Sequence, residues 1–87
     1  MYMMDDTFDK NLASIGEQVR KLRKKKKMSQ EELACQIGVS VITVSRIESG
    51  TTTMNIQTLM NLSKILDVPV DEILYSHERR LPDVASG

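Results

Sequence analysis

The segment Ser29 to Gly50, "SQEELACQIGVSVITVSRIESG", constrains the fold more than any other part of the chain, because it carries two helix starts and two helix stops. Ser29 and Glu32 stand at capping-box spacing, where hydroxyl and carboxylate each satisfy the other's orphan backbone N–H. Leu33, Ala34 and Ile37 then share one helical face, and Gly38 supplies the left-handed residue that ends a helix. After a three-residue turn Ser40 caps a second helix over about Val41 to Ser49, and Gly50 stops it. Helices this short are marginal alone. They must close a core with neighbours.

The neighbours are also read as helices. Upstream, "SIGE" places Ser14 three residues before Glu17, a second capping-box spacing, and Ile15, Val19 and Leu22 form the stripe of helix 1. Phe8 and Leu12 continue that stripe backwards, which points to an earlier start. Downstream, Asn55 is the expected cap of helix 4, with a stripe of Ile56, Leu59, Leu62, Ile65 and Leu66. Helix 5 begins near Pro69, since proline is tolerated in a first turn, and buries Val70, Ile73 and Leu74. The expectation is an all-α five-helix domain over residues 14–75, with a partly ordered lead-in at 1–13 and a flexible tail at 76–87. Its 87 residues suffice for one small domain, and the scarcity of aromatics (Tyr2, Phe8, Tyr75) favours aliphatic helix packing over a sheet.

The formal charge is zero, but it is unevenly placed. From Ile15 to Gly50 there are eight Lys/Arg against four Asp/Glu, a net of +4, while residues 1–14 and 51–87 each come to −2. The low-complexity run "KLRKKKK", with Arg20 just before it, puts positive charge beside the start of helix 2. The single cysteine, Cys35, excludes an intramolecular disulfide and is read as a small filler. The sequence contains neither a signal peptide nor an apolar run long enough to cross a bilayer, so a cytoplasmic location without membrane association is expected. His77 is the lone histidine, and no nucleophile has a histidine base nearby. Neither a metal, a cofactor nor an enzymatic activity is expected.

Two short helices joined by a glycine turn are the ingredients of a helix-turn-helix, whose second helix enters the DNA major groove. Ala34 is small where the two helices approach, Gly38 follows at +4, and Val44 and Ile47 pack back. The stretch "IGEQVRKLRKKKKMSQEELACQIGVSVITVSRIESG" followed by "NIQTLMNLSKILDVPVDEIL" resembles the Cro/repressor-type (XRE) helix-turn-helix family over about Ile15 to Leu74. The most specific pieces are "LR" at Leu22-Arg23, "SQEELA", "GVS" and "SRIESG". The resemblance implies a compact lambda-repressor-like bundle with helices 2 and 3 as the helix-turn-helix. It also implies a sequence-specific transcriptional regulator, most simply a homodimeric repressor on palindromic double-stranded DNA. Gln30 would bond a phosphate through its side chain and backbone N–H, and the positive end of helix 2 favours an anion there. Ser29, Ser40, Thr43, Thr51, Thr52 and Thr53 join it as phosphate candidates. Glu48 would pair with Arg23 as a structural lock. Two departures from the family pattern stand out. Lys27 occupies a place where glycine usually ends helix 1, so a left-handed cap costs about 1 kcal/mol more there or the loop differs. "TTTM" at Thr51 to Met54 replaces a stretch that is commonly basic.

At 100° per residue, Val44, Ile47 and Glu48 turn toward the domain, and the opposite side centres on Ile42 and Arg46. Ser45 flanks them, with Val41 at the margin. An outward Ile42 or Val41 suits a thymine methyl, and Arg46 can donate twice to guanine. A different reading makes the chain the antitoxin half of a toxin–antitoxin pair, with DNA binding as autoregulation and residues 76–87, anchored by Leu81 and Val84, folding on a protein partner.

Overall fold

The computed structural model describes the backbone of residues 2–75 and the side chains of residues 12–75. The tail at 76–87, with His77, Leu81 and Val84 and the protein contact ascribed to them, lies outside the described residues, as does the Phe8 side chain. Five helices follow one another: α1 (Tyr2–Lys25), α2 (Gln30–Ile37), α3 (Val41–Ser49), α4 (Ile56–Leu66) and α5 (Val70–Leu74), and no strand occurs among the described residues. Helix α3 packs on α1 and α2, α4 on α2, and α5 on α1 and α4. Side chains from all five converge on one core, in which Val19, Leu33, Val44, Leu62, Leu66 and Ile73 are fully buried. Burying a Val, Leu or Ile side chain is worth about 1.5–3 kcal/mol, so this shared core holds helices too short to persist alone.

The expected cap at Ser14 is not formed. Ser14 lies inside α1, exposed, and the helix begins earlier, in the direction that the Phe8 and Leu12 spacing indicates. The capping-box spacing is a local signal, whereas the helix is held by its continuing stripe of Leu12, Ile15, Val19 and Leu22 against the rest of the domain. Gly16, within the supposed cap, has a different task. A Cβ there would overlap the backbone carbonyl oxygen of Ile47 and come within 2.6 Å of that of Glu48, so glycine lets α1 cross directly over the end of α3. Gly50 does the same on the other side of the crossing, where a Cβ would meet the Ala13 Cα at 2.8 Å.

Ile56 is the second correction. It was expected in the buried stripe of α4, but it is 70% exposed, while Leu62 and Leu66 are buried and Leu59 and Ile65 partly so. As the first residue of α4, directly after the Asn55 cap, it projects past the helices that cover the later turns. Periodicity gives the direction of a side chain and not the length of the surface opposite it.

Helices α1 to α4 all end in the same way. An amide two or three residues past the helix donates back to a carbonyl in its last turn: Met28 to Arg23 (3.1 Å), Val39 to Ala34 (3.0 Å), Thr51 to Arg46 (3.0 Å) and Val68 to Ser63 (3.1 Å). This Schellman closure needs a left-handed residue between. Gly38 and Gly50 supply it with φ of 76°, and Lys27 and Asp67 with φ of 60° and 59°. Lys27 therefore keeps the left-handed geometry instead of the loop rearranging. Asp67 was not anticipated.

Candidate nucleic-acid interface

The sequence builds α2 and α3 as two capped rods at a fixed corner. Ser29 Oγ accepts the Glu32 amide at 3.0 Å while the Ser29 amide donates to Glu32 Oε1 at 2.8 Å, completing the capping box. Ser40 Oγ accepts the Thr43 amide at 3.1 Å and lies 3.0 Å from Thr43 Oγ1. Between the rods, Gly38 is left-handed with open space around it, so its glycine is required by backbone angle rather than by crowding.

The inner side of α3 is fixed by apolar packing and by one charged knot. Val44 and Ile47 are buried. The Arg23 guanidinium, itself buried, grips Glu48 with two bonds, Nε to Oε2 at 2.7 Å and Nη2 to Oε1 at 3.1 Å. A third bond runs from Arg23 Nη1 to the Met28 carbonyl at 2.8 Å, and Gln30 Nε2 donates to Glu48 Oε1 at 3.0 Å. The expected pair is thus present and ties the ends of α1, α2 and α3 together. Hydrogen bonding to Glu48 holds the Arg23 guanidinium above its ordinary pKa, outweighing the opposing effect of burial. That stabilisation is complete below the ordinary arginine value and is lost only as pH rises through the raised one, so arginine titration does not loosen the knot under ordinary conditions.

The link from Gln30 to Glu48 was missed by sequence reading, which assigned Gln30 to phosphate alone. The side chain faces two ways, since its amide carries two N–H donors and Glu48 takes one bond. A glutamine one residue after a capping serine gives no local hint of a partner eighteen residues later.

The outer side of α3 is bare. Ile42 is 59% exposed and Val41 38%, and Ser45 and Arg46 are exposed beside them. The structure therefore puts all four base-reading candidates at the surface, on a helix whose other side is anchored. Ser29 and Ser40 are exposed at the starts of α2 and α3, with Gln30 and Thr43 half-buried. The threonines diverge from this group. Thr51 turns its hydroxyl back to the Arg46 carbonyl at 3.3 Å and to Ser49 Oγ at 3.2 Å. Thr52 and Thr53 line a separate, mainly apolar pocket with Leu12, Ile15, Met54 and Leu74. No helix of the described residues is long and apolar enough to cross a membrane.

A family model described as helix-turn-helix matches residues 19–73. The transcriptional repressor RghR of Bacillus subtilis (strain 168) is 34% identical over 79 residues, an alignment covering 82% of this chain and 58% of RghR. The chain thus spans little more than half the length of that relative. Among solved structures, the restriction-modification controller protein C.AhdI from Aeromonas hydrophila superposes with a TM-score of 0.68 at 31% identity, covering 71% of this chain and 94% of the controller. The P22 c2 repressor protein, crystallised in complex with a synthetic operator, superposes with a TM-score of 0.67 at 38% identity, covering 69% of this chain and 91% of the repressor.

Proposed function

This chain belongs to the helix-turn-helix family, and from that premise we propose that it is a sequence-specific DNA-binding transcriptional regulator of the repressor type, acting in the cytoplasm by occluding a promoter. The observation that carries the reading is the two-sided construction of α3, with Val44, Ile47 and Glu48 fixed inward and Ile42 and Arg46 exposed one turn apart on the outside. Such a helix presents side chains to base edges without reorganising.

In this reading α3 lies in the major groove. Arg46 donates to a guanine edge, Ile42 and Val41 pack on thymine methyls, and Ser45 bonds a neighbouring base. The starts of α2 and α3, with Ser29, Gln30, Ser40 and Thr43, hold phosphates and set the register of the helix on the duplex. Thr51 to Thr53 supply weaker contacts at the far end. The protein binds as a homodimer, placing two α3 helices about 34 Å apart on an imperfect palindrome.

Selection of bound duplexes from a random pool tests the whole reading. It should return two inverted half-sites separated by about one helical turn. Titrating Arg46→Ala on the selected site should lose about 1–3 kcal/mol of discrimination at one base pair. Ile42→Asn should change preference at a different pair while the melting temperature stays close to that of the parent. Recovery of random sequence, or unchanged discrimination by both variants, would sink the assignment.

A further inference from the structure

Behind α3, on its inward side, lies a mainly apolar pocket of about 200 Å³ whose walls are Leu12 and Ile15 of α1, Ile47 of α3, Leu59 of α4 and Leu74 of α5. Its rim is the stretch Thr52 to Met54, which joins α3 to α4. We propose that this pocket is the seat of the chain's own residues 76–87, laid back over the domain in extended form with Leu81 as the side chain that fills it. The contact is intramolecular and does not depend on the DNA-binding reading.

Position selects the occupant first. Leu74, the last residue of α5, is itself a wall of the pocket, and Tyr75 leaves the helix with extended backbone angles, φ −124° and ψ 136°. The sequence then runs on as "SHERRLPDVASG", in which Leu81 and Val84 are the only large apolar residues. Six residues of extended chain reach about 20 Å, so Leu81 can return to any wall of a pocket that the chain has just left. Tethering at the rim also holds the local concentration of the tail on the order of mM, which favours it over a segment from another copy.

The rim supplies the second support. An extended segment binds through main-chain hydrogen bonds as well as through a side-chain pocket. The backbone amides of Thr53 and Met54 have no hydrogen bond among the described residues, and neither does the Met54 carbonyl. Such unpaired groups at a pocket's edge are a template for a neighbouring strand. The tail has a piece of matching form, because the residue before a proline is biased to extended geometry, and Leu81 precedes Pro82. Proline also brings no N–H that the contact would leave unpaired. Seated in this way, Leu81 packs on Ile47, an inward anchor of α3, and braces that helix from behind.

Methyl and amide NMR on the full chain tests the seat. Cross-relaxation should link the Leu81 methyls to those of Ile15, Ile47 and Leu74, and hydrogen exchange at the Thr53 and Met54 amides should be slowed about tenfold, the factor that one net hydrogen bond supplies. Leu81→Asp should abolish both signals and lower the melting temperature by about 4–8 °C. Leu81→Met, which keeps the apolar volume, should retain them. In a mixture of labelled and unlabelled protein the links should remain within single chains. Links found only between chains overturn the intramolecular seat and give the pocket to a second copy. Absence of any link from Leu81 to the pocket walls in the parent overturns the proposal, whatever the variants do. Equal exchange at Thr53 and Met54 in the parent and in Leu81→Asp overturns the extended pairing at the rim.

Discussion

The two glycines that bracket α3 and the two ordinary residues that end α1 and α4 perform the same closure under different demands. Gly38 and Gly50 sit at the corners that set where α3 begins and ends, while Lys27 and Asp67 hold the same left-handed geometry at the ends of the supporting helices. For an L-residue that geometry costs about 1–2 kcal/mol, with aspartate penalised less than most because its short polar side chain visits the region readily. Strain is thus tolerated in the scaffold and absent at the corners of the exposed helix. The comparison also divides the glycines themselves. Gly38 has nothing within 4 Å of where a Cβ would be, so only its backbone angle matters; Gly50 has both the angle and the crossing with α1 to satisfy.

Four substitutions test this division, each read as the shift of a urea-unfolding midpoint at constant slope. Gly50→Ala should cost the most, roughly 2–5 kcal/mol, because the left-handed penalty is compounded by overlap with rigid backbone. Gly38→Ala should cost about 1 kcal/mol, since the penalty is partly offset by the lower chain entropy of alanine in the unfolded state. Lys27→Gly should stabilise by about 0.5–1 kcal/mol, the same balance with the opposite sign. Asp67→Gly should change stability by only a few tenths of a kcal/mol, the 4.0 Å contact with the exposed Lys26 contributing next to nothing. Equal effects at Gly38 and Gly50 would refute the role of the crossing. A destabilising Lys27→Gly would show that the left-handed residue at α1 is not strained at all.

How much of this was legible beforehand depends on whether the signal was local. The caps at Ser29, Ser40 and Asn55, the stops at Gly38 and Gly50 and the inward placement of Val44 and Ile47 follow from short-range hydrogen bonding and helical period, and the structure has them. The Arg23–Glu48 pair came through family resemblance, because no spacing rule links residues twenty-five positions apart. Ser14 shows the opposite failure, a complete local signal overruled by a helix that continues on both sides of it. Gly16 gave the weakest warning, for a glycine inside a helical pattern is ambiguous until its partner surface is known. Ile56 fits the stripe and lacks a neighbour, and the exposed face of α3 was found because a nine-residue helix has too few turns to hide a second apolar side.

The charged knot has a calorimetric consequence. With α3 tied to α1 and α2 by three hydrogen bonds, two from Arg23 and one from Gln30, before any ligand arrives, no folding of that helix remains to be completed on binding. On the proposed DNA-binding reading, the heat capacity change of association should then reflect the apolar surface that Val41 and Ile42 lose to the groove, without the much larger increment that coupled folding adds. On the same reading, the outward residues of α3 can be exchanged while the knot keeps the helix at one angle, changing the text that is read without rebuilding the reader.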